Sequence, residues 1–288
     1  MSKILLMTDS GSDIDKVLAK QYDIMILPFK YSFDGENYYL DGIDQKLEDF
    51  YEMERASEQI PKTAQVTPIE FEEIFEKAYS DGFDTIIYTS ISSAASGTYQ
   101  NACMMARQAM DEHEGLRIEV IDTKTYSALY GLAVIEGAKM LREGKSADEI
   151  VERIKAIAYS ANAMFLTGDL THLKKGGRIN AATFAVANVL DIKPILTIKD
   201  GLVVQGGKIR GSKNLFKKLM ASAEEMGNFE EGRIFTIHTC QYEKAAMLRN
   251  AIAEDYPNTR IDDLLIGPTI GCHAGPDLIG IVYFGEKF

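Results

Sequence analysis

Ser92-Ser93-Ala94-Ala95-Ser96-Gly97-Thr98-Tyr99-Gln100 is the stretch on which the reading of this chain turns. It follows Thr85-Ile86-Ile87-Tyr88, an apolar run suited to a buried strand. It precedes Asn101 to Met110, which has helical spacing and strong helix formers. The hydroxyls of Ser96 and Thr98 and the freedom of Gly97 therefore fall where a strand ends and a helix begins. A helix start presents unpaired backbone N–H groups and the positive end of the macrodipole, which suits an anion. A plain N-cap uses the same residues, and these nine positions alone do not separate the two readings.

Working outward, strand and helix alternate through the first half. Ile4-Leu5-Leu6-Met7 reads as a buried strand ending in Thr8-Asp9-Ser10-Gly11-Ser12-Asp13, with Ser12 capping a helix to about Gln21. Ile24 to Phe33 alternates as a second strand that turns at Asp34-Gly35, and Asp41 to Glu54 reads as a helix. Pro61 to Pro68 is an extended loop in which Thr63 either offers its hydroxyl or bonds its own backbone as a turn residue, and Pro68 suits the first turn of a helix over Ile69 to Tyr79. Arg117 to Ile121 is a further strand, Thr125 to Arg142 a long apolar helix, and Ser146 with Glu149 a capping box. Such alternation predicts an α/β fold with an open, mostly parallel sheet. Ligands in such sheets bind beyond the carboxyl ends of the strands, where Asp9, Ser10 and the Ser96 turn lie.

The boundary of this first domain is expected near residue 158, giving 1–158 as α/β and 159–288 as α+β with a largely antiparallel sheet. In the second part Ile192 to Ile198 and Leu202 to Val204 flank Asp200-Gly201 as a hairpin. Arg233 to Thr239, Ile261 to Ile266 and Ile279 to Phe284 read as strands. Leu170 to Ile179 reads as a flexible basic loop containing Lys174, Lys175 and Arg178, suited to contact a phosphate or a partner. Asn180 to Leu190 reads as a helix of small apolar residues able to line a cavity. Gly267 to Asp277 reads as a Gly/Pro-rich loop that carries His273.

Composition narrows the function. The 288 residues hold 43 acidic against 31 basic side chains, a formal net charge of −12. Such a balance opposes nonspecific binding to nucleic acid or to an anionic membrane. Three dispersed cysteines, Cys103, Cys240 and Cys272, form neither a metal spacing nor a disulfide framework, so a cytoplasmic location is expected. Met1 leads directly into a strand-like run, so no signal peptide is expected, and no apolar stretch is long enough to span a bilayer. No HExxH or paired Cys-x-x-Cys points to a metal, and no GxxxxGK[ST] or GxGxxG to a nucleotide. His273, between two glycines, is the most suggestive histidine. His238, in mid-strand, reads as a core residue, His113 as a surface residue, and His172 borders the basic loop.

Several motifs taken together resemble the DegV family, the fatty-acid-binding proteins that serve bacterial fatty acid kinase. They are Thr8-Asp9-Ser10 with Asp13, Lys62-Thr63 before Gln65, Ser92-Ser93 with Ser96 to Gln100, and Asp122-Thr123-Lys124. Lys175 to Ile179, Lys193 to Leu196 and His273 to Pro276 complete the set. Each is weak alone, but their order and spacing over nearly the whole chain are specific. The resemblance implies two α/β domains with an acyl chain buried between or within them, and no cofactor beyond that ligand. It implies a carboxylate held by Ser96 and Thr63 near His273, with Gly97 and Thr98 from the same motif. Arg178, with Lys175, falls in the region implicated in docking a kinase or handling an acyl phosphate. The chain itself is then not an enzyme: it presents a long-chain fatty acid, such as palmitate, to a separate kinase subunit, a role in fatty acid metabolism and lipid transport. Ala64, Ala95 and Asp277 depart from the serine, the leucine or isoleucine, and the glycine common at those positions, and the first two bear on chain-length preference. Two other readings stand beside this one: a serine-dependent acyl hydrolase or transferase using Ser96 and His273, though without a G-x-S-x-G elbow, and a lipid-sensing regulatory protein.

Overall fold

The computed structural model describes residues 3–168, 170–179, 192–211, 213–225, 227 and 233–284. The helix expected over Asn180 to Leu190 lies outside the described residues. Strand β1 (Ile4–Asp9) is the apolar run after the N-terminus and is buried from its second residue on. Ser10–Ser12 then closes a tight 3-10 turn, so Ser12 is not the expected cap. The helix starts later, at Lys16–Tyr22, where the Asp15 carboxylate accepts from the N–H groups of Val17 and Leu18 at 2.8 and 2.9 Å.

The single strand expected over Ile24 to Phe33 is two strands. β2 (Met25–Leu27) pairs parallel with β1. Pro28, which has no N–H to donate, and Phe29, whose N–H is taken by Ser10 Oγ at 2.9 Å, end it. β3 (Lys30–Ser32) then joins β4 (Tyr39–Leu40) and β5 (Lys62–Ala64) in a small antiparallel sheet. Lys62-Thr63 is therefore strand rather than loop. The helix expected from Asp41 begins at Leu47 and runs to Ala56, because Asp41-Gly42 turns the chain and buries the Asp41 carboxyl.

Helix Pro68–Ser80 starts as read, with Pro68 in the first turn and a Thr67/Glu70 capping box. β6 (Thr85–Ser90) is buried along its whole length and lies inside a sheet of order β2-β1-β6-β7, with β7 at Arg117–Asp122. All pairings in this sheet are parallel. Helix Thr98–Glu112 connects β6 to β7. Helices Ala128–Arg142 and Ala147–Ser160 pack on each other and against this sheet, the second opening with the Ser146/Glu149 capping box.

The rest builds a six-stranded sheet. Its strands are β8 (Ala161–Leu166), β9 (Ile192–Lys199), β10 (Leu202–Arg210), β11 (Arg233–His238), β12 (Arg260–Leu265) and β13 (Ile279–Phe284). The order is β10-β9-β8-β13-β11-β12, and every pairing is antiparallel except β11 with β12. Asp200 and Gly201 both take positive φ, 51° and 80°, as a two-residue hairpin turn with matching twist requires. Leu170 to Ile179 is not a loop: Thr171–Gly176 is helical and ends on Gly177. Gly267 to Asp277 likewise contains a helix, Pro268–Ala274. One apolar cluster runs from Leu5, Ile86 and Tyr88 of the parallel sheet into Phe165, Leu196 and Phe235 of the six-stranded sheet. No helix among the described residues is long and apolar enough to cross a membrane.

Asp9, at the carboxyl end of β1, holds this architecture rather than a ligand. Its carboxylate is fully buried and accepts from Tyr130 Oη (2.6 Å), Tyr88 Oη (2.8 Å), Ile91 N (3.0 Å) and Gly11 N (3.1 Å). Burial raises its pKa from 3.8 to about 6, against the pull of these donors. A carboxyl raised by folding stabilises the native state below its unfolded pKa and loses that advantage as pH climbs through the folded value. The stability gap between the native chain and Asp9→Ala should therefore narrow by about 2 kcal/mol between pH 4 and pH 6. Urea unfolding of both proteins across that range measures it, and a gap that widens would contradict the assignment.

Candidate functional site

Beyond the carboxyl end of β6 the chain makes the Ser92 to Gln100 turn, and side chains from elsewhere pin it. Asp122, at the end of β7, accepts from Ser93 N at 3.0 Å and Ser93 Oγ at 2.6 Å. Ser92 Oγ donates to the Gly201 carbonyl at 2.9 Å, as does Tyr126 Oη, which ties the turn to the β9–β10 hairpin. Ser96 Oγ lies 2.9 Å from Thr98 Oγ1 and accepts from Thr98 N at 3.3 Å. Thr98 Oγ1 also accepts from Val66 N. Gly97 is the residue before helix Thr98–Glu112, and the end of the Gln65 side chain lies against it.

A second short helix meets this turn from the other half of the chain. Helix Pro268–Ala274 has no cap of its own. Two buried carboxyl groups supply one: Asp13 accepts from Gly267 N at 3.0 Å, and Asp41 from Thr269 N at 3.2 Å and Thr269 Oγ1 at 2.5 Å. Burial drives the Asp13 carboxyl well above the usual range, opposed by the Ser127 hydroxyl and reinforced by the charge of Asp41. Burial raises Asp41 as well, opposed by Thr269. So held, the helix delivers His273 to β5, where Nε2 lies 2.9 Å from Thr63 Oγ1.

Thr63, Ser96, Arg178 and His273 converge on one cavity of about 450 Å³. Its remaining wall is mostly apolar and includes Phe29, Ile91, Leu129, Phe165, Ile237 and Ile266. Such a volume falls in the usual range of ligand pockets, roughly 300–1,000 Å³, with a few polar groups set in an apolar wall. Arg178 Nε donates to the Ala95 carbonyl at 2.9 Å and Nη1 to the Gly176 carbonyl, so the guanidinium braces the Ser96 turn against helix Thr171–Gly176. Burial lowers its pKa, yet a guanidinium stays charged. His273 answers that charge: burial first, then Arg178 and His172, bring its pKa from 6.5 to about 3, so the imidazole is neutral at pH 7.

Residues 3–286 match the family described as "Uncharacterised protein, DegV family". A DegV domain-containing protein of Caldanaerobacter subterraneus subsp. tengcongensis is 36% identical over 288 residues, covering 100% of both chains. The chain belongs to the DegV family. Among solved structures, the fatty acid binding DegV family protein of Streptococcus agalactiae is similar to it at a TM-score of 0.88 and 27% identity, covering 100% of both chains. A stearic acid-binding protein of Eubacterium ventriosum gives 0.86 and 26%, covering 99% of this chain and 98% of its own.

Within this DegV chain the predicted site residues separate into two groups. Thr63, Ser96, His273 and Arg178 line the cavity; Gly97 and Thr98 stand behind Ser96 and shape the turn. Lys175 is exposed on its helix and does not line the cavity. Arg178 faces inward instead of projecting from a loop. His273 Nε2 pairs with Thr63 and Ser96 Oγ with Thr98, so the nucleophile–base contact of a hydrolase pair is not made. Ala102, Met105, Ala106 and Ala109 of helix Thr98–Glu112 are core residues and form none of the cavity wall. His238 is a core residue as read, buried and held by Asp263 and Gln241 N. Gln65, quoted in the sequence only beside Thr63, and Tyr126 also line the cavity; neither residue type marks a site without its fold.

Gly176 fixes the position of the His273 ring. A Cβ at residue 176 would stand 2.5 Å from His273 Nδ1. Gly176→Ala is expected to push the imidazole off Thr63 and to cost roughly 1–3 kcal/mol of stability. A crystal structure of the variant and its thermal unfolding check both parts.

Proposed function

We propose that this chain binds a long-chain fatty acid, with the carboxylate held by Ser96, Thr63 and His273 and the tail in the apolar cavity. The observation that carries this reading is the convergence of two hydroxyls, a neutral imidazole and a half-buried guanidinium on one otherwise apolar pocket. A carboxylate there meets hydroxyl donors, the positive start of helix Thr98–Glu112, and a compensating charge on Arg178, so no metal is required. Because His273 is uncharged, its Nε2 acts as a hydrogen-bonding group and leaves Arg178 as the ion partner. Each methylene buried contributes roughly 0.8 kcal/mol, so a tail of about 15 supplies at most roughly 12 kcal/mol before the costs of association. Relatives with the same fold described as fatty-acid-binding and stearic acid-binding support the choice of ligand.

We further propose that the chain is a non-catalytic carrier that presents the carboxylate to a separate fatty acid kinase. Exposed Lys175 would meet that partner, while Arg178 contributes from inside the site. The boundary at 158/159 is retained in this proposal. The parallel and six-stranded sheets fall on either side of it, and the cavity takes Thr63 and Ser96 from one part and His273 and Arg178 from the other. A cytoplasmic location accompanies this role.

Native mass spectrometry of protein purified from a lipid-containing host is expected to show a bound fatty acid. A clean ligand-free mass, with no binding when palmitate is titrated, would overturn the reading. Ser96→Ala should weaken palmitate binding by roughly 1–3 kcal/mol, the cost of leaving a buried charged group short of a donor. Isothermal titration of the variant measures it, and wild-type affinity would reduce Ser96 to a cap.

A further inference from the structure

Behind the proposed head-group site lies a buried carboxylate that the fatty-acid reading does not use. Glu54, on the last turn of helix Leu47–Ala56, has a side chain 1% exposed. Its nearest partner is His172 Nε2, 3.4 Å from Oε1, which is long for a hydrogen bond. Among the described residues, neither carboxylate oxygen has a hydrogen-bond donor of good geometry. Burial raises its pKa, opposed by His172 and by the charge of Arg55, while Asp277 adds to the rise. A carboxylate kept in such a place without a full set of donors is costly, and in folded proteins such groups concentrate where position or charge is under functional constraint.

His172 connects this group to His273. Helices Thr171–Gly176 and Pro268–Ala274 pack together so that each sets a histidine ring on a glycine of the other segment. The Cβ position of Gly176 stands 2.5 Å from His273 Nδ1, and that of Gly275 stands 3.0 Å from His172 Nδ1. Gly275 has φ +80°, which also disfavours a side chain there. In both rings Nδ1 faces the neighbouring glycine and Nε2 faces outward, to Glu54 from His172 and to Thr63 from His273. Through these two contacts the seat of His172 bears on helix Pro268–Ala274, which carries His273.

We propose that Glu54 and His172 are a positioning pair for His273, locking the two interlocked helices so that its imidazole stays on Thr63 and faces the head group. The proposal rests on the fatty-acid reading of the same site. It makes His172 and Glu54 determinants of affinity although neither lines the cavity.

The test compares the native chain with His172→Ala, His172→Gln and Glu54→Gln in two measurements. One is palmitate affinity by isothermal titration. The other is the ring-nitrogen NMR signals of His273 in ligand-free protein. His172→Ala is expected to lower affinity about ten-fold, as loss of roughly one hydrogen bond's worth of positioning implies, and to move the His273 ring signals. His172→Gln, whose amide N–H can reach Glu54, should restore most of both. Glu54→Gln keeps the volume of the side chain and should move the His273 signals in the same direction; it carries the test if His172→Ala does not fold. Native ring signals and native affinity in His172→Ala would overturn the proposal. So would equal impairment in His172→Ala and His172→Gln, since that is the mark of packing alone. If the native chain binds no palmitate, the fatty-acid reading falls and the ring signals alone decide the positioning pair.

Discussion

Two buried carboxyl groups from the first half of the chain cap one short helix from the second, and the site depends on that clamp. Helix Pro268–Ala274 is seven residues long, and helices so short are marginal in water. Its first N–H groups find Asp13 and Asp41 rather than solvent. Tyr51 donates to the Ile266 carbonyl just before it, and Gly271 lies close against the rings of Phe50 and Tyr51. The helix is thereby inserted among elements laid down more than two hundred residues earlier in the chain, and its last turn brings His273 to Thr63. Asp13 itself sits at φ 53°, a left-handed conformation that costs little for Asp and much for a β-branched residue.

The electrostatics of the cavity follow from the same insertion. One cation, Arg178, is half-buried there, and a second positive charge beside it would be unfavourable in a poorly solvated wall. Burial first, and the neighbouring Arg178 charge second, keep the imidazole of His273 neutral, so that it works through its hydrogen bond. Arg178 is held by carbonyls from both neighbours, Ala95 and Gly176, so the charge is fixed in direction as well as in position. An anion entering such a site meets groups that need little rearrangement, which is the condition for strong binding by few polar contacts.

Much of the fold was legible because it rests on local rules. The apolar runs of β1 and β6, the capping boxes at Thr67 and Ser146, Pro68 at a helix start and the Asp200-Gly201 hairpin all use interactions within a few residues. The misreadings share a cause. Glycine-rich stretches at 171–177 and 267–275 look like loops, since glycine disfavours helices. They are helices because the absence of side chains lets them pack on rings, Gly176 on His273 and Gly271 on Tyr51. Asp9 looked like a ligand-facing residue because it ends a parallel strand, but Tyr88 and Tyr130, from distant positions, close over it.

The sequence by itself determined the alternation of strand and helix, the parallel first sheet and the hairpin-bearing second, and the motifs that mark the DegV family. Those features are written in period, punctuation and order along the chain. It also named Ser96, Thr63, His273 and Arg178, through their motifs rather than through any visible proximity. Only the tertiary structure decided that these four line one cavity, that Arg178 points inward while Lys175 points out, and that Glu54 and His172 stand behind His273. The reason is physical: a hydrogen bond or a close packing contact between residues 63 and 273, or 54 and 172, depends on how sheets and helices stack. That stacking is set by the sum of many apolar contacts and leaves no periodic mark in the sequence.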